Sequence, residues 1–293
     1  MITIAFTNFY RGFEPKNSFI NYILKKAIGE DYYITPDHKH ADVVITSVYG
    51  KTPTYTEKTI LYTPENVRPN FYKVKFSLSH DRDSWMGRNH YCPFWLSKLA
   101  WPNYRPIPET NGIQTHQNES AMDISKLCKK RGISRAEFSK KKFCAIVAGN
   151  PETLRMNLYG FLKNYIDIDG YGYAFSNPIL ESKHDFLEQY RFVICPENSY
   201  YPGYVTEKLF DAWYAGTVPI YAGGIDNDKL INNRAFLNYN QIGDCFELYK
   251  IIRTLNEDYQ LYKNIFVEPL LRQPPALKNI INFVKNAISE ILK

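Results

Sequence analysis

The stretch YRFVICPENSYYPGYVTEKLFDAWYAGTVPIYAG (190–223) contains a strand, a turn, a helix and a second strand. The apolar run RFVIC (191–195) predicts the first strand, and the turn residues Pro-Glu-Asn follow it directly. TEKLFDAWYAG (206–216) predicts a helix that ends in glycine, which is favoured at helix C-termini. VPIYAG (218–223) predicts the second strand. Strands joined through a helix are typical of a parallel sheet, so this stretch predicts an α/β fold.

The rest of the chain repeats this alternation. Apolar runs predict further strands, and stretches with apolar residues three and four apart predict helices. The predicted strands lie at 2–6, 42–46, 59–63, 74–79 and 142–149, and the predicted helices at 17–28, 152–166 and 182–190. The 293 residues are enough for two domains. We therefore predict two Rossmann-like domains facing a cleft, at 1–140 and 141–275, followed by a C-terminal amphipathic helix at 276–293.

The composition indicates a globular protein of modest positive charge. Hydrophobic residues make up 44% of the chain, enough for two cores, and the net charge of +6 suits an anionic ligand or surface as well as nucleic acid. Five widely spaced cysteines without a Cys-x-x-Cys pair argue against a disulfide framework and a zinc site. The first ten residues predict a strand rather than a signal peptide, and no apolar run approaches the ~20 residues of a membrane span. These features predict a cytoplasmic protein.

Two kinds of segment allow more than one interpretation. The stretch 276–293 has a helical apolar stripe, and we favour packing on the protein over the alternative, a helix lying on the inner membrane surface. The basic runs at 128–135 and 140–142 raise the alternative of a nucleic-acid-binding protein. No nucleic-acid motif accompanies them, so solvated helix faces are the better interpretation and no nucleic-acid partner is expected.

The tripeptide Pro-Glu-Asn occurs twice, each time after a predicted strand. It ends LYTPEN (61–66) and ICPEN (194–198). The repetition is either chance or the sign of two similar halves. Because ligands of open α/β sheets bind at the carboxyl ends of the strands, we predict that both turns face one cleft. Each turn would present a carboxylate there, from Glu65 and Glu197.

Two segments have the residue types of a phosphate site. Tyr204, Glu207 and Lys208 are spaced to share one face at a helix N-terminus, where free N–H groups and the helix dipole favour a phosphate. Glu207 could accept hydrogen bonds from ribose hydroxyls, although an exposed Glu-Lys pair would have the same spacing. In AGNPETLR (148–155), Arg155 follows a glycine turn and is suited to bidentate phosphate binding, but a lone arginine is more often a surface residue. Neither a Walker loop nor G-x-G-x-x-G is present.

The stretch 190–223 resembles the signature of the α-1,3/4-fucosyltransferases, glycosyltransferase family 10. The matching residues are Phe192, Glu197, Asn198, Ser199, the run from Tyr204 to Lys208, Gly216, Val218, Pro219 and Ile220. Three other segments are similar to family segments less closely: YTPENVRPNF (62–71), FSLSHDRDSW (76–85) and AGNPETLRMNLYGFL (148–162). In the last of these, Gly149 replaces the usual serine.

The resemblance implies a GT-B fold and an inverting transfer of L-fucose from GDP-β-L-fucose to a glycan hydroxyl. Its acceptors would be N-acetyllactosamine-type chains, with α-1,3 linkage to GlcNAc, or surface polysaccharides. Glu65 matches the general base on the acceptor side. Glu197, a candidate second carboxylate, and Asn198 belong to the donor-side signature. The resemblance assigns GDP ribose and diphosphate binding to the set Asn150, Arg155, Tyr204, Glu207 and Lys208.

Cations of the protein could offset the charge of a leaving diphosphate, so no metal ion is obligatory and Mg²⁺ or Mn²⁺ would at most stimulate. The nearest match to a metal-binding D-x-D motif is DID (167–169), which we predict to be a loop without metal. One alternative function is a GDP-dependent transferase of another deoxy sugar. Another is a glycosidase that uses Glu65 and Glu197 as a carboxylate pair. Arg155 and Lys208 count against it, because hydrolysis has no diphosphate to bind.

Overall fold

The computed structural model describes residues 1–106, 121–177, 182–225 and 228–293, and their contacts divide them into two compact units. The first unit contains residues 1–106 together with 202–204 and 275–293. The second contains the described residues from 121 to 201 and from 205 to 274. This division differs from the predicted boundary at 140, because the segment from 121 to 140 makes its contacts in the second unit.

The first unit contains a six-stranded parallel sheet with the order β2-β1-β3-β4-β5-β6. Its strands are β1 (Ile2–Thr7), β2 (Tyr32–Ile34), β3 (Val43–Thr46), β4 (Thr59–Tyr62), β5 (Phe76–Ser79) and β6 (Asn89–Tyr91). The first helix, α1 (Phe19–Ile28), begins after Ser18, whose side chain accepts the N–H of Asn21. Every residue of β3, β4 and β5 is buried, as expected for parallel strands that are covered on both faces.

The second unit contains a five-stranded parallel sheet with the order β11-β10-β9-β7-β8. Its strands are β7 (Lys142–Val147), β8 (Ile168–Tyr171), β9 (Tyr190–Ile194), β10 (Val218–Tyr221) and β11 (Leu237–Asn238). Its helices are α2 (Ile124–Leu127), α3 (Arg135–Lys140), α4 (Thr153–Leu162), α5 (Lys183–Leu187), α6 (Lys208–Tyr214), α7 (Tyr239–Ile242), α8 (Cys245–Glu257) and α9 (Tyr259–Phe266).

Both sheets are wound in the same way. Numbered within its own unit, each sheet begins 2-1-3-4-5, so the strand order reverses between β1 and β3 in the first unit and between β7 and β9 in the second. Ligands of such sheets bind outside the carboxyl ends of the strands at the reversal. The two Pro-Glu-Asn turns follow β4 and β9, which are the fourth strand of one sheet and the third of the other. The two halves are therefore similar, but the tripeptides do not occupy equivalent positions in them.

The C-terminal helix α10 (Lys278–Ile291) packs on the first unit and contacts α1. Its apolar stripe, formed by Ile280, Val284, Ala287 and Ile288, is buried. Phe283 stacks on His90 of β6 with ring centroids 5.4 Å apart. The favoured interpretation of this segment is thus confirmed, and the apolar face is not free to lie on a membrane surface. None of the helices in the described ranges is long and apolar enough to cross a bilayer.

The basic runs contain both exposed cations and one cation that is enclosed within the protein. Lys129, Lys130 and Arg135 are exposed, as predicted for solvated helix faces. Arg131 is instead a structural residue: its guanidinium lies between the rings of Trp213 and Phe266, 4.2 and 4.0 Å from their centroids. It donates to the backbone carbonyls of both residues and of Thr217. Burial lowers the pKa of Arg131 to about 9. Its hydrogen bonds and ring contacts show that this cation joins α6 to the end of α9.

Candidate functional site

At the strand-order reversal of the second sheet, the loops after β7 and β9 are joined by Arg155 of α4. Its Nη1 donates to the carbonyl of Asn150 at 2.6 Å. Its Nη2 donates to Asn198 Oδ1 at 3.0 Å and to the carbonyl of Pro196 at 3.2 Å. Three of the predicted donor-binding residues are thus brought together at the position where open α/β sheets bind their ligands.

The Arg155 side chain is buried, with only 3% of the residue exposed. Burial lowers its pKa, while the carboxylates of Glu152 and Glu197 act in the opposite direction. An arginine guanidinium nevertheless stays protonated in proteins. A cation that is already held in place beside a ligand crevice is well suited to charge-assisted hydrogen bonds with phosphate oxygens.

Glu197, in the turn after β9, is surrounded by hydrogen-bond donors. Its Oε1 accepts from the backbone N–H of Thr206 at 2.7 Å and from the Tyr221 hydroxyl at 3.0 Å. Its Oε2 accepts from the Thr206 hydroxyl at 2.7 Å and from Lys208 Nζ at 2.9 Å. The side chain is fully buried. This carboxylate joins the segment before α6 to the ends of β9 and β10, and its contacts indicate a structural role rather than the second catalytic carboxylate of the sequence hypothesis.

Lys208 is the first residue of α6, and its ammonium group is engaged within the protein. It donates to Glu197 Oε2 and to the Thr206 hydroxyl, both at 2.9 Å, and lies 3.9 Å from Glu207 Oε1. Burial opposes the positive charge, but the two glutamates outweigh it and raise the pKa of Lys208 above its usual range. Lys208 therefore provides a fixed positive charge in the same pocket as Arg155. It was predicted to bind the diphosphate, and Glu197 already offsets part of its charge.

A third cation, Lys183, lines the same pocket as Arg155 and Lys208. It lies at the start of α5 and forms an ion pair with Asp211 of α6 at 2.5 Å. The pocket is also lined by Cys195 and Pro196, at the carboxyl end of β9. Sequence reasoning missed Lys183 because no motif surrounds it, and only the packing of α5 beside α6 brings it here.

The predicted helical face of Tyr204, Glu207 and Lys208 is wrong for Tyr204. The helix begins at Lys208 with Glu207 as its N-cap residue, so Tyr204 lies outside the helix, four residues before its first residue. Gly203 turns the chain with a φ of 92°, and a Cβ there would lie 2.3 Å from the carbonyl oxygen of His80. Tyr204 consequently packs in the first unit, its ring 5.4 Å from the ring of His80. Glu207 and Lys208 remain together in the second unit.

Glu65 follows β4 in the first unit and is partly buried. The hydroxyl of Tyr49 donates to its Oε1 at 2.7 Å. Its backbone N–H donates to the Thr63 hydroxyl at 3.1 Å, and its carbonyl accepts from Val67 N–H at 2.7 Å. These bonds hold the Pro-Glu-Asn turn in one conformation at the carboxyl end of the sheet.

Neighbouring side chains support this turn. His80 is buried, and burial lowers its pKa although the carboxylate of Asp81 acts against the shift. Arg68, three residues after Glu65, donates to Asp81 Oδ2 at 2.9 Å, and the indole N–H of Trp85 donates to the same oxygen at 2.9 Å. The turn that carries Glu65 is thus anchored to the loop after β5.

The D-x-D-like sequence is not the predicted loop, because Asp169 lies in β8. Its carboxylate accepts from Lys142 Nζ at 3.2 Å and from the Tyr190 hydroxyl. Within the ranges that the structure describes, no group of three His, Cys, Asp or Glu side chains is arranged to hold a metal ion.

Comparison with known proteins gives two matching family models. The model described as glycosyltransferase family 10 (fucosyltransferase), C-terminal part, matches residues 137–267. The model of the α-(1,3)-fucosyltransferase FucT N-terminal domain matches residues 4–97. The two models together cover most of the chain and fall in different units of the structure.

Named relatives agree with these models. The α-(1,3)-fucosyltransferase FucT of Helicobacter pylori is 26% identical over 93% of this chain and 60% of its own length. A Bos taurus protein named 3-galactosyl-N-acetylglucosaminide 4-α-L-fucosyltransferase is 32% identical over 44% of this chain and 36% of its own. The chain thus spans 60% or less of these two relatives.

A crystal structure of an α1,3-fucosyltransferase with GDP-fucose superimposes with a TM-score of 0.73 at 23% identity, covering 98% of this chain and 90% of that one. The two parallel sheets and this likeness define an α/β protein of the GT-B-like class, as predicted. The matches of both family models then identify the family: the chain belongs to glycosyltransferase family 10, the fucosyltransferases.

Proposed function

We propose that the protein transfers L-fucose from GDP-β-L-fucose to a hydroxyl of a glycan acceptor, with inversion at the anomeric carbon. The observation that carries the donor half of the proposal is the cluster of Arg155, Asn150 and Asn198 at the strand-order reversal, with Lys208 in the same pocket. Arg155 and Lys208 offset the negative charge that develops on GDP as it leaves. Glu207, at the N-cap of α6, is the candidate partner of the ribose hydroxyls.

Glu65 is the proposed general base. In a single displacement, it takes the proton of the acceptor hydroxyl while that oxygen bonds to the anomeric carbon and the bond to the GDP phosphate breaks. The exposed part of Glu65 and its rigid turn support this role.

For the acceptor we propose GlcNAc of an N-acetyllactosamine-type chain, in α-1,3 linkage, or a surface polysaccharide. We propose the cytoplasm as the location of the reaction.

The glycosidase alternative is weakened by the surroundings of Glu197. A glycosidase needs two carboxyl groups that both reach the substrate. Both oxygens of Glu197 are engaged by Thr206, Tyr221 and Lys208, and the side chain is fully buried. A transferase of another GDP-linked deoxy sugar uses the same donor residues and remains the second candidate.

An acceptor array assayed with GDP-fucose, GDP-mannose and UDP-galactose tests the proposal, with mass spectrometry as the readout. We expect a mass increase of one deoxyhexose with GDP-fucose alone, and NMR of the product should show an α linkage. Release of free fucose without any transferred product would favour hydrolysis. Absence of both transfer and GDP binding would contradict the proposal.

Arg155→Lys should weaken GDP binding about 10–100-fold, because lysine keeps the charge but loses the planar fork that binds two phosphate oxygens. Isothermal calorimetry with GDP measures the change. Arg253→Lys is the matched control, since Arg253 is exposed on α8 and pairs with Glu257. Equal affinity in the wild type and in Arg155→Lys would remove Arg155 from the donor site.

Transfer should persist in EDTA, because the proposed counter-charges of the diphosphate are Arg155 and Lys208. The measurement compares initial rates with chelator alone and after adding Mg²⁺ or Mn²⁺. A stimulation of a fewfold by either ion is compatible with this expectation. Loss of all turnover in EDTA, restored by metal, would contradict it.

A further inference from the structure

At the strand-order reversal of the first sheet, the loops after β1 and β3 meet through aromatic side chains. The rings of Tyr10 and Tyr49 are perpendicular, with centroids 5.9 Å apart, and Phe13 packs edge-on against Tyr10 at 5.6 Å. Edge-to-face contacts of this kind favour one relative orientation of the rings. The ring of Tyr49 is therefore oriented by neighbours at the position where such a sheet binds a ligand.

The backbone that carries Tyr49 is fixed by Asn8. This residue has a φ of 58°, which is uncommon for a residue other than glycine and recurs at functional sites. Its side-chain amide donates to the Thr46 hydroxyl and to the Thr52 carbonyl, both at 3.0 Å, and its Oδ1 accepts the Thr52 N–H at 2.8 Å. The N–H of Tyr49 donates to the Asn8 carbonyl at 2.8 Å. The side chain of Asn8 thus holds both ends of the loop 47–52.

The glycine in this loop confirms how closely it fits. A Cβ on Gly50 would lie 2.5 Å from Asn8 Oδ1, a distance that real Cβ atoms do not show. The loop therefore has little freedom to move Tyr49. Its hydroxyl is directed at Glu65 Oε1, 2.7 Å away. Among the described residues, no hydrogen bond reaches the other oxygen, Oε2.

We propose that Tyr49 is a positioning residue for the reaction. Its hydroxyl holds Oε1 of Glu65 and leaves Oε2 to take the proton of the acceptor hydroxyl. This inference rests on the proposed role of Glu65 as the base. A carboxylate that is oriented in advance loses less freedom when the acceptor binds, and misplacing a reacting group by about 1 Å can cost about 100-fold in rate.

Tyr49→Phe tests the inference because it keeps the ring and removes only the hydroxyl. We expect kcat to fall about 10–100-fold with the KM for GDP-fucose unchanged, since the donor residues lie in the second unit. Tyr72→Phe is the control, because Tyr72 belongs to the same unit and is 94% exposed. The kcat of this variant should equal that of the wild type. Urea unfolding midpoints of both variants show whether the unit is intact.

The double variant Glu65→Gln/Tyr49→Phe separates positioning from an independent contribution. If Tyr49 acts through Glu65, the second substitution adds little to the loss caused by Glu65→Gln. Multiplied losses would overturn the inference, as would full kcat in Tyr49→Phe. If Tyr49→Phe keeps full kcat while Glu65→Gln is impaired, only the inference on Tyr49 fails. If Glu65→Gln itself keeps full turnover, the role of Glu65 and the inference fail together.

Discussion

Glu65→Gln is expected to lower the rate of fucose transfer about 10²–10⁴-fold, the usual cost of removing a general base. Glutamine keeps the shape of the side chain and can still accept the hydrogen bond from Tyr49, but it cannot take up the proton of the acceptor hydroxyl. The affinity for GDP should not change, because Arg155, Lys208 and the other proposed donor residues belong to the second unit.

The measurement pairs turnover with calorimetry on the same preparation. Glu57→Gln is the matched control, because Glu57 is an exposed glutamate of the same unit. It should match the wild type in both assays. A Glu65→Gln protein with wild-type turnover would show that another group accepts the proton. A loss of GDP affinity in that variant would instead indicate that the substitution disturbs more than the base.

Glu197→Gln is expected to destabilise the second unit by about 3–5 kcal/mol, the typical cost of breaking a buried ion pair from one side. The amide would face two donors with a donor of its own, and the ammonium of Lys208 would lose its closest carboxylate. Because Thr206 precedes α6 by two residues, the start of this helix should loosen. GDP affinity should fall with it, since Lys208 is held by the same carboxylate.

The urea midpoint measures the loss of stability, and hydrogen exchange of peptides covering 205–215 shows where it arises. Glu257→Gln, at an exposed salt bridge of α8, is the control and should change the stability by less than about 1 kcal/mol. The double variant Glu197→Met/Lys208→Met removes both charges and should be more stable than Glu197→Gln. An unchanged midpoint in Glu197→Gln would contradict the structural role of this glutamate.

Much of the fold follows from local pattern. The stretch 190–223 predicts β9, α6 and β10, and the structure has them at Tyr190–Ile194, Lys208–Tyr214 and Val218–Tyr221. Short edge strands such as β2 and β11 were not predicted, because two or three residues are too few to show a period. The helices α8 and α9 were also missed, although the apolar stripe of α8, with Leu248, Ile252 and Leu255 buried, is visible in the sequence.

The sequence likewise predicted some residues of the candidate site and failed to place others. Motif and residue type were enough to select Arg155, Asn198, Lys208 and Glu65, all of which lie at carboxyl ends of parallel strands or on the helices that follow them. They were not enough to place Tyr204, because the helix begins only at Lys208 and Gly203, with its positive φ, turns the chain directly before Tyr204. The tripeptide Pro-Glu-Asn alone does not distinguish its two glutamates, so the sequence also kept Glu197 as a candidate catalytic carboxylate beside Glu65.

The sequence by itself determined the α/β class, the resemblance to a family and the residue types of the proposed nucleotide site, because these depend on periodicity and on short-range order along the chain. Only the tertiary structure decided that Glu197 is enclosed by four donors while Glu65 keeps one oxygen without a bond among the described residues. Only the tertiary structure shows, too, that the hydroxyl of Tyr49, sixteen residues before Glu65, donates a hydrogen bond to the Glu65 carboxylate. Burial and hydrogen-bond partners depend on residues brought together from distant parts of the chain, and no local pattern records them.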